Sequence, residues 1–159
     1  MPTKTKVKEL MTTDVIAFKP DDKIRHITET LREKRISGAP VIDEGGKVIG
    51  VISESDIMNL TATIALPTLD PFNPIATFSF NRVFMSLPEE IDKQIEMLFE
   101  GSASDVMSKK PITVSPEDSI SDVARIMHKN DFNRLPVVDD EGNLVGLIAR
   151  GDIISVLVK

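Results

Sequence analysis

Gly50-Val51-Ile52-Ser53-Glu54-Ser55-Asp56-Ile57 and Gly146-Leu147-Ile148-Ala149-Arg150-Gly151-Asp152-Ile153 are the two stretches on which the fold turns. Each starts on a glycine, runs through two aliphatic residues, and ends on an aspartate followed by isoleucine. They stand 96 residues apart, since 146 − 50 = 96. The same shift carries Met11 to Met107, Pro20 to Pro116, Ile24 to Ile120, Pro40 to Pro136 and Asp43 to Asp139. Met11 to Ile57 needs no gap, and 13 of these 47 pairs (57 − 11 + 1 = 47) are identical. Average usage would match at roughly three such positions. The chain therefore contains an internal duplication, which takes precedence over any single-element assignment.

Each copy reads the same way. Val15-Ile16-Ala17-Phe18 is a short apolar run and predicts a strand. Pro20-Asp21-Asp22 predicts a helix start, with acidic residues favoured by the dipole of the first turn. Ile24, Ile27 and Leu31 follow at helical spacing, as do Ile120, Val123, Ala124 and Met127. Pro40-Val41-Ile42-Asp43, the turn Glu44-Gly45-Gly46 and Val48 to Ile52 predict a hairpin. Asp139 to Asn143 supplies the equivalent turn, and a second helix is expected from Glu54 onward. The unit is β-α-β-β-α, which makes the class α/β (α+β). One unit of about 50 residues is marginal alone. Two copies packed with pseudo-two-fold symmetry would bury each other's open faces and create two related clefts.

Composition narrows the setting. The chain has 159 residues, 41% hydrophobic and 28% charged, as ordinary globular proteins do. There are no cysteines, which excludes disulfides, thiolate metal sites and a cysteine nucleophile. No apolar run reaches about 18 residues, so no membrane span is expected. The start, MPTKTKVKEL, has no apolar segment of a secretory signal, and a cytoplasmic location is expected. A net charge of −6 argues against nucleic acid as a main partner, because phosphate contacts need clustered Lys and Arg. With no Trp or Tyr, base stacking would rest on Phe alone.

The two Gly-to-Asp stretches resemble the G-h-h-[ST]-x-x-D-h motif of cystathionine-β-synthase (CBS) domains. Leu10-Met11-Thr12 and Val106-Met107-Ser108 resemble the family's h-M-[ST] opening. Gly38-Ala39-Pro40-Val41-Ile42-Asp43 and Arg134-Leu135-Pro136-Val137-Val138-Asp139 resemble its strand before the hairpin. The resemblance covers repeats at 7–60 and 103–158, with an insert at 61–102 between them. It implies a paired CBS (Bateman) module that binds AMP, ADP, ATP, S-adenosylmethionine or a related ligand for regulation, not as a catalytic cofactor. Each cleft would then mix both copies. The first would hold Ser53 and Asp56 on the ribose, Lys110, Pro111 and Ile112 along the base, and Arg134 toward phosphate. The second would use Asp152 on the ribose, Val15 and Ile16 along the base, and Gly38 opposite, with Ala149 and Arg150 beside them.

The motif makes chemical sense. A carboxylate accepts ribose hydroxyl hydrogens, and residues three apart share a face at a helix start. A helix N-terminus also offers free N–H groups to phosphate. Asp56 and Asp152 can equally be plain helix caps, and the repeated spacing is what favours the ribose reading. Arg134 is either phosphate-facing or a surface residue. The second cleft has Ala149 in place of a hydroxyl and Gly38 in place of Arg134. Losing both contacts costs on the order of 1–3 kcal/mol, so the Ser53/Asp56 cleft is expected to bind tighter. His26 and His128 do not correspond under the shift and are read as surface residues. The acidic runs Asp21-Asp22 and Asp139-Asp140-Glu141 fit a helix start and a turn rather than a metal site. No nucleophile–base pair and no P-loop stand out, so an enzyme is not expected.

The insert is less regular. Pro67, Pro71 and Pro74 break any helix, and Phe72, Phe78, Phe80 and Phe84 cluster there. Ser86-Leu87-Pro88-Glu89 predicts a helix start near 88–100, with Ile91, Ile95 and Leu98 as its stripe and Gly101 as its stop. The insert is either extra core, a self-association or partner surface, or a lid. The leading expectation is a stand-alone sensor, by default a homodimer, that modulates an unidentified partner protein in trans. The alternative is an interaction module with vestigial clefts that works through the Phe-rich insert.

Overall fold

The computed structural model describes residues 4–65 and 89–158. After a 3-10 turn at Val7–Glu9 the chain runs α1 (Ile24–Lys34), β1 (Gly38–Ile42), β2 (Val48–Ser53) and α2 (Glu54–Ala65). It continues through α3 (Glu89–Phe99), α4 (Ala103–Val106), α5 (Ile120–Asn130), β3 (Arg134–Val138), β4 (Leu144–Ala149) and α6 (Arg150–Leu157). Among the described residues there are two two-stranded sheets, β1-β2 and β3-β4, so the class is mixed α and β as expected. The chain divides into two units: Met1–Lys19, Ala39–Val51 and Ser108–Lys159 form the first, and Pro20–Gly38 and Ile52–Met107 the second.

The first unit is built on apolar spacing. Helix α5 buries Ile120, Val123 and Met127, three and four residues apart, on one face. They pack with Val7, Val114, Leu135, Val137, Ile148 and Ile153 in one core. Burying each such side chain contributes about 1.5–3 kcal/mol. Strand β3 pairs antiparallel with β4, placing Arg134 opposite Ala149 and Leu135 opposite Ile148. The turn between them needs Gly142 at φ 85°, and the other hairpin needs Gly46 at φ 86°. Each glycine donates its N–H to the aspartate three residues back, Asp139 or Asp43, at 3.0 Å. The two turns also pair with each other: Val48 N–H donates to the Gly142 carbonyl and Leu144 N–H to the Gly46 carbonyl.

In the second unit, α1 buries Ile24, Ile27 and Leu31. Helix α3 packs against α2 and α1. Its C-terminal turn is pinned to the start of α1 by exposed ion pairs. Arg25 reaches Glu96 at 2.6 Å and Lys23 reaches Glu100 at 2.6 Å, while the Arg25 guanidinium lies 5.6 Å from the Phe99 ring. Lys23, and then Arg25, hold the Glu100 carboxyl below its ordinary value. The helix expected near 88–100 is thus present as Glu89–Phe99, and Gly101 closes it by donating to the Leu98 carbonyl. Phe72, Phe78, Phe80, Phe84, the insert prolines and Ser86-Leu87-Pro88 lie outside the described residues.

Two local expectations need correction. Val15–Ala17 form no strand; only Phe18 pairs, in a single parallel bridge to Val41, and Val114 does the same with Val137. The helices also start later than Pro20–Asp22. Helix α1 begins at Ile24 with no acidic residue in its first turn, because the Pro20 and Asp22 carbonyls already accept from Ser104 and Ala103 N–H. In the other unit Pro116 and Asp118 accept from Lys8 and Val7 N–H in the same way. The segment that opens each copy is therefore bonded to the helix start of the other copy.

Candidate functional site

The residues that end the Gly-to-Asp motif sit at helix starts. Strand β2 leads straight into α2, and Ser53 stands at the junction. The Ser53 N–H and hydroxyl both donate to Asp56 Oδ2 at 2.9 Å, and the Asp56 N–H returns to Ser53 Oγ at 3.3 Å. This is a reciprocal capping box. Its Oδ1 oxygen carries no hydrogen bond among the described residues. Both residues are half-buried. The Ser53 proton is committed to Asp56, so the serine aims the carboxylate rather than offering a free donor.

At the start of α6 the same aspartate acts with less help. Asp152 Oδ2 accepts the Ala149 N–H at 2.8 Å, and alanine has no hydroxyl to complete the box. Its Oδ1 is likewise without a hydrogen bond among the described residues. The cap reading of both aspartates is thus observed, and it uses one carboxylate oxygen of each.

The remaining residues divide between the units. Ser53, Asp56 and Gly38 belong to the second unit, where Gly38 is the buried first residue of β1. The others belong to the first unit. There, Thr12 and Leu147 exchange backbone hydrogen bonds of 2.8 and 2.9 Å. That contact brings the run containing Val15 and Ile16 to β4, which ends at Ala149 and leads into Arg150 and Asp152 at the start of α6. Ser108 and Val51 exchange the equivalent pair at 3.0 and 3.2 Å. Lys110, Pro111 and Ile112 lead into Val114, whose N–H donates to the Pro136 carbonyl at 3.0 Å. The pairing is parallel, so Ile112 and Arg134 lie at the same end of it. Lys110 and Ile112 are exposed, and Arg134 is half-buried.

Arg150 has a direction that its sequence position did not reveal. Its Nη2 donates to the Phe132 carbonyl at 3.2 Å and lies 3.8 Å from Asp131 Oδ1. Its backbone N–H donates to the Asn133 carbonyl at 2.8 Å. The corner at 131–133 was missed in the sequence, although a signal existed. Under the 96-residue shift Arg150 and Asp131 correspond to Glu54 and Arg35, a reversal of sign at both positions. Another missed contact is Met11 on Gly146: a Cβ there would sit 2.6 Å from the Met11 sulfur and 3.0 Å from the Thr12 carbonyl oxygen.

His26 and His128 are exposed, as expected. Asp139 closes its turn by accepting from the Glu141 and Asn143 N–H groups, and the Asn143 bond leads in holding its carboxyl below the ordinary value. Among the described residues no group of three potential ligating side chains could hold a metal ion. None of the described helices is long and apolar enough to cross a membrane.

Known proteins resemble this chain in sequence and fold. The CBS domain family model matches residues 7–62 and 103–159. The protein MJ1426 of Methanocaldococcus jannaschii is 35% identical over 157 residues, covering 96% of this chain and 90% of its own. The chloroplastic CBS domain-containing protein CBSX1 of Arabidopsis thaliana is 33% identical, and the match covers 96% of this chain and 64% of the plant protein. The crystal structure of CBSX2 in complex with AMP superposes with a TM-score of 0.71 at 26% identity, over 96% of both chains.

Proposed function

The chain belongs to the CBS domain family, and we propose that it is a regulatory CBS pair that binds an adenine nucleotide or adenosyl ligand, AMP before ADP, ATP or S-adenosylmethionine. The observation that carries this reading is the pair of capping aspartates. Each spends one carboxylate oxygen on its helix and leaves the other without a partner among the described residues. A ribose diol is the chemistry that such an oxygen accepts. The likeness to CBSX2, whose structure was solved with AMP, supports the choice of nucleotide. The tighter cleft takes Ser53 and Asp56 on the ribose, Lys110, Pro111 and Ile112 along the base, and Arg134 toward phosphate. The weaker one takes Asp152 on the ribose, Val15 and Ile16 along the base and Gly38 opposite, with Ala149 and Arg150 beside them, the Arg150 guanidinium being turned to the Phe132 carbonyl rather than to the ligand. The module performs no catalysis; occupancy shifts a conformational equilibrium that a partner protein reads in trans. A homodimer in the cytoplasm completes the reading.

The test is thermal unfolding of the purified full chain with AMP, ADP, ATP, S-adenosylmethionine and NAD. A ligand at 100 times its Kd adds about 2.7 kcal/mol to native stability, a shift of several degrees at this size. The absorbance at 260 nm of the protein as purified reports carried-over nucleotide, because no Trp or Tyr contributes at 280 nm. Stabilisation by AMP is the expected result. A chain that none of the five stabilises is not a nucleotide sensor, and the interaction reading then takes over. That reading has α3 to build on, where Met97 is 75% exposed.

A further inference from the structure

Arg134 is the first residue of β3, and what precedes it is the corner 131–133. Asp131 closes α5 in the left-handed conformation, at φ 54°, so the chain turns sharply there. Two Arg150 groups then hold the corner from the other side of the hairpin. The backbone N–H bonds to the Asn133 carbonyl at 2.8 Å and the guanidinium to the Phe132 carbonyl at 3.2 Å. Asp131 adds little, since its side chain is 99% exposed and 3.8 Å away. The charge-assisted bond to the carbonyl is the stronger contact. Across the ladder, Ala149, the neighbour of Arg150, lies opposite Arg134 itself.

The other copy shows what this clamp is for. There the backbone bond survives, from Glu54 N–H to the Ser37 carbonyl at 2.9 Å. The side-chain bond cannot exist, because a Glu54 carboxylate has no proton to give the Ile36 carbonyl. The residue that follows that corner is Gly38, which has no side chain to aim. The guanidinium clamp thus occurs only where the corner leads into an arginine.

We infer that Arg150 is a positioning residue which fixes the 131–133 corner, and through Arg134 sets the module's preference for phosphorylated over unphosphorylated adenosyl ligands. The inference rests on the reading above, in which Arg134 meets the ligand phosphate. Arg150 touches no ligand itself. A long side chain aims only as well as the backbone that carries it, so loosening the corner spreads the Arg134 guanidinium over more positions.

Isothermal titration of the full chain with AMP and with adenosine tests this. Arg134→Ala should weaken AMP about tenfold and leave adenosine within about twofold. Arg150→Ala should weaken AMP about three- to tenfold with adenosine again unchanged, and Arg150→Lys, which keeps one charged donor, should recover part of the loss. The double variant should be no worse than Arg134→Ala, because both changes act through one side chain. The inference is overturned if Arg150→Ala leaves AMP binding intact, weakens both ligands equally, or adds fully to Arg134→Ala. It is overturned too if Arg150→Ala removes a second binding site, since Arg150 would then be a ligand contact. Should Arg150→Ala fail to fold, Arg150→Met, which keeps the stem but has no N–H donor, carries the same comparison. A wild-type chain that binds neither compound sinks the nucleotide reading instead, and the two failures are told apart.

Discussion

The starts of α2 and α6 descend from one duplicated motif, and their caps differ by one hydroxyl, Ser53 against Ala149. At α2, Asp56 Oδ2 takes two hydrogen bonds from Ser53, and Ser53 takes one back. At α6, Asp152 Oδ2 takes one, from the Ala149 N–H. Both aspartates cap, so both serve their helices whether or not a ligand is bound. What differs is how firmly the carboxylate is aimed. A box with two reciprocal bonds fixes its rotamer; a single backbone bond leaves more freedom. The duplication therefore preserved a scaffold twice and the means of presenting its carboxylate once.

The largest expected effect lies in ligand affinity. Asp56→Ala should weaken AMP about 30-fold and Asp152→Ala less than about threefold, by titration calorimetry, as loss of a charged hydrogen-bond acceptor costs about 1.5–3 kcal/mol. Both variants lose a cap, so their melting temperatures should fall together while affinities diverge. The reverse ranking would mean that the hydroxyl is irrelevant to which cleft binds.

Next in size is a steric test of the second copy. Gly146→Ala places a methyl against the Met11 sulfur and the Thr12 carbonyl. The sulfur can swing aside but the carbonyl belongs to the Thr12–Leu147 pair. A loss of about 1–2 kcal/mol is expected in urea unfolding, and Met11→Ala in the same chain should recover only part of it. Full tolerance of Gly146→Ala would show that this contact yields freely.

The caps themselves can be exchanged. Ser53→Ala should cost about 1 kcal/mol, and Ala149→Ser should add about 0.5–1 kcal/mol, read by thermal unfolding. If Ala149→Ser stabilises nothing, the missing hydroxyl is not what separates the two helix starts.

The smallest effect concerns acid. Lys6 and then Lys8, each bonded to Glu117, hold its carboxyl down at about 2 from an ordinary 4.5. A carboxyl whose folded value is lowered stabilises the fold fully above its unfolded value. That contribution fades as pH falls from about 5 toward 2. The equivalent positions in the other copy are Asp21, Ser102 and Ser104, where no such pair of lysines exists. Glu117→Gln should flatten the acid limb of a stability–pH curve slightly, and salt should blunt the wild-type slope, because the groups are about half exposed. An unchanged acid limb would assign the slope to other carboxylates.

Much of this molecule was legible in its residues. The 96-residue shift, the hairpins with their turn glycines, the buried stripes of α1 and α5 and the α3 helix follow from spacing and turn chemistry, which are local. So does membership of the CBS family, because its motifs recur twice in one order. Strand Val15–Phe18 failed because an apolar run predicts burial, while a ladder requires a partner strand that only one residue of the run finds. The helix starts were misplaced because the carbonyls of Pro20 and Asp22 were already taken by a segment some 80 residues away. The direction of Arg150 was illegible for the same reason: a flexible cation chooses among acceptors, and the acceptors are arranged by the fold. Periodicity and duplication are written in the chain. Which backbone groups remain free to pair, and hence where each helix begins and each arginine points, depends on contacts distant in sequence and was decided only by the tertiary structure.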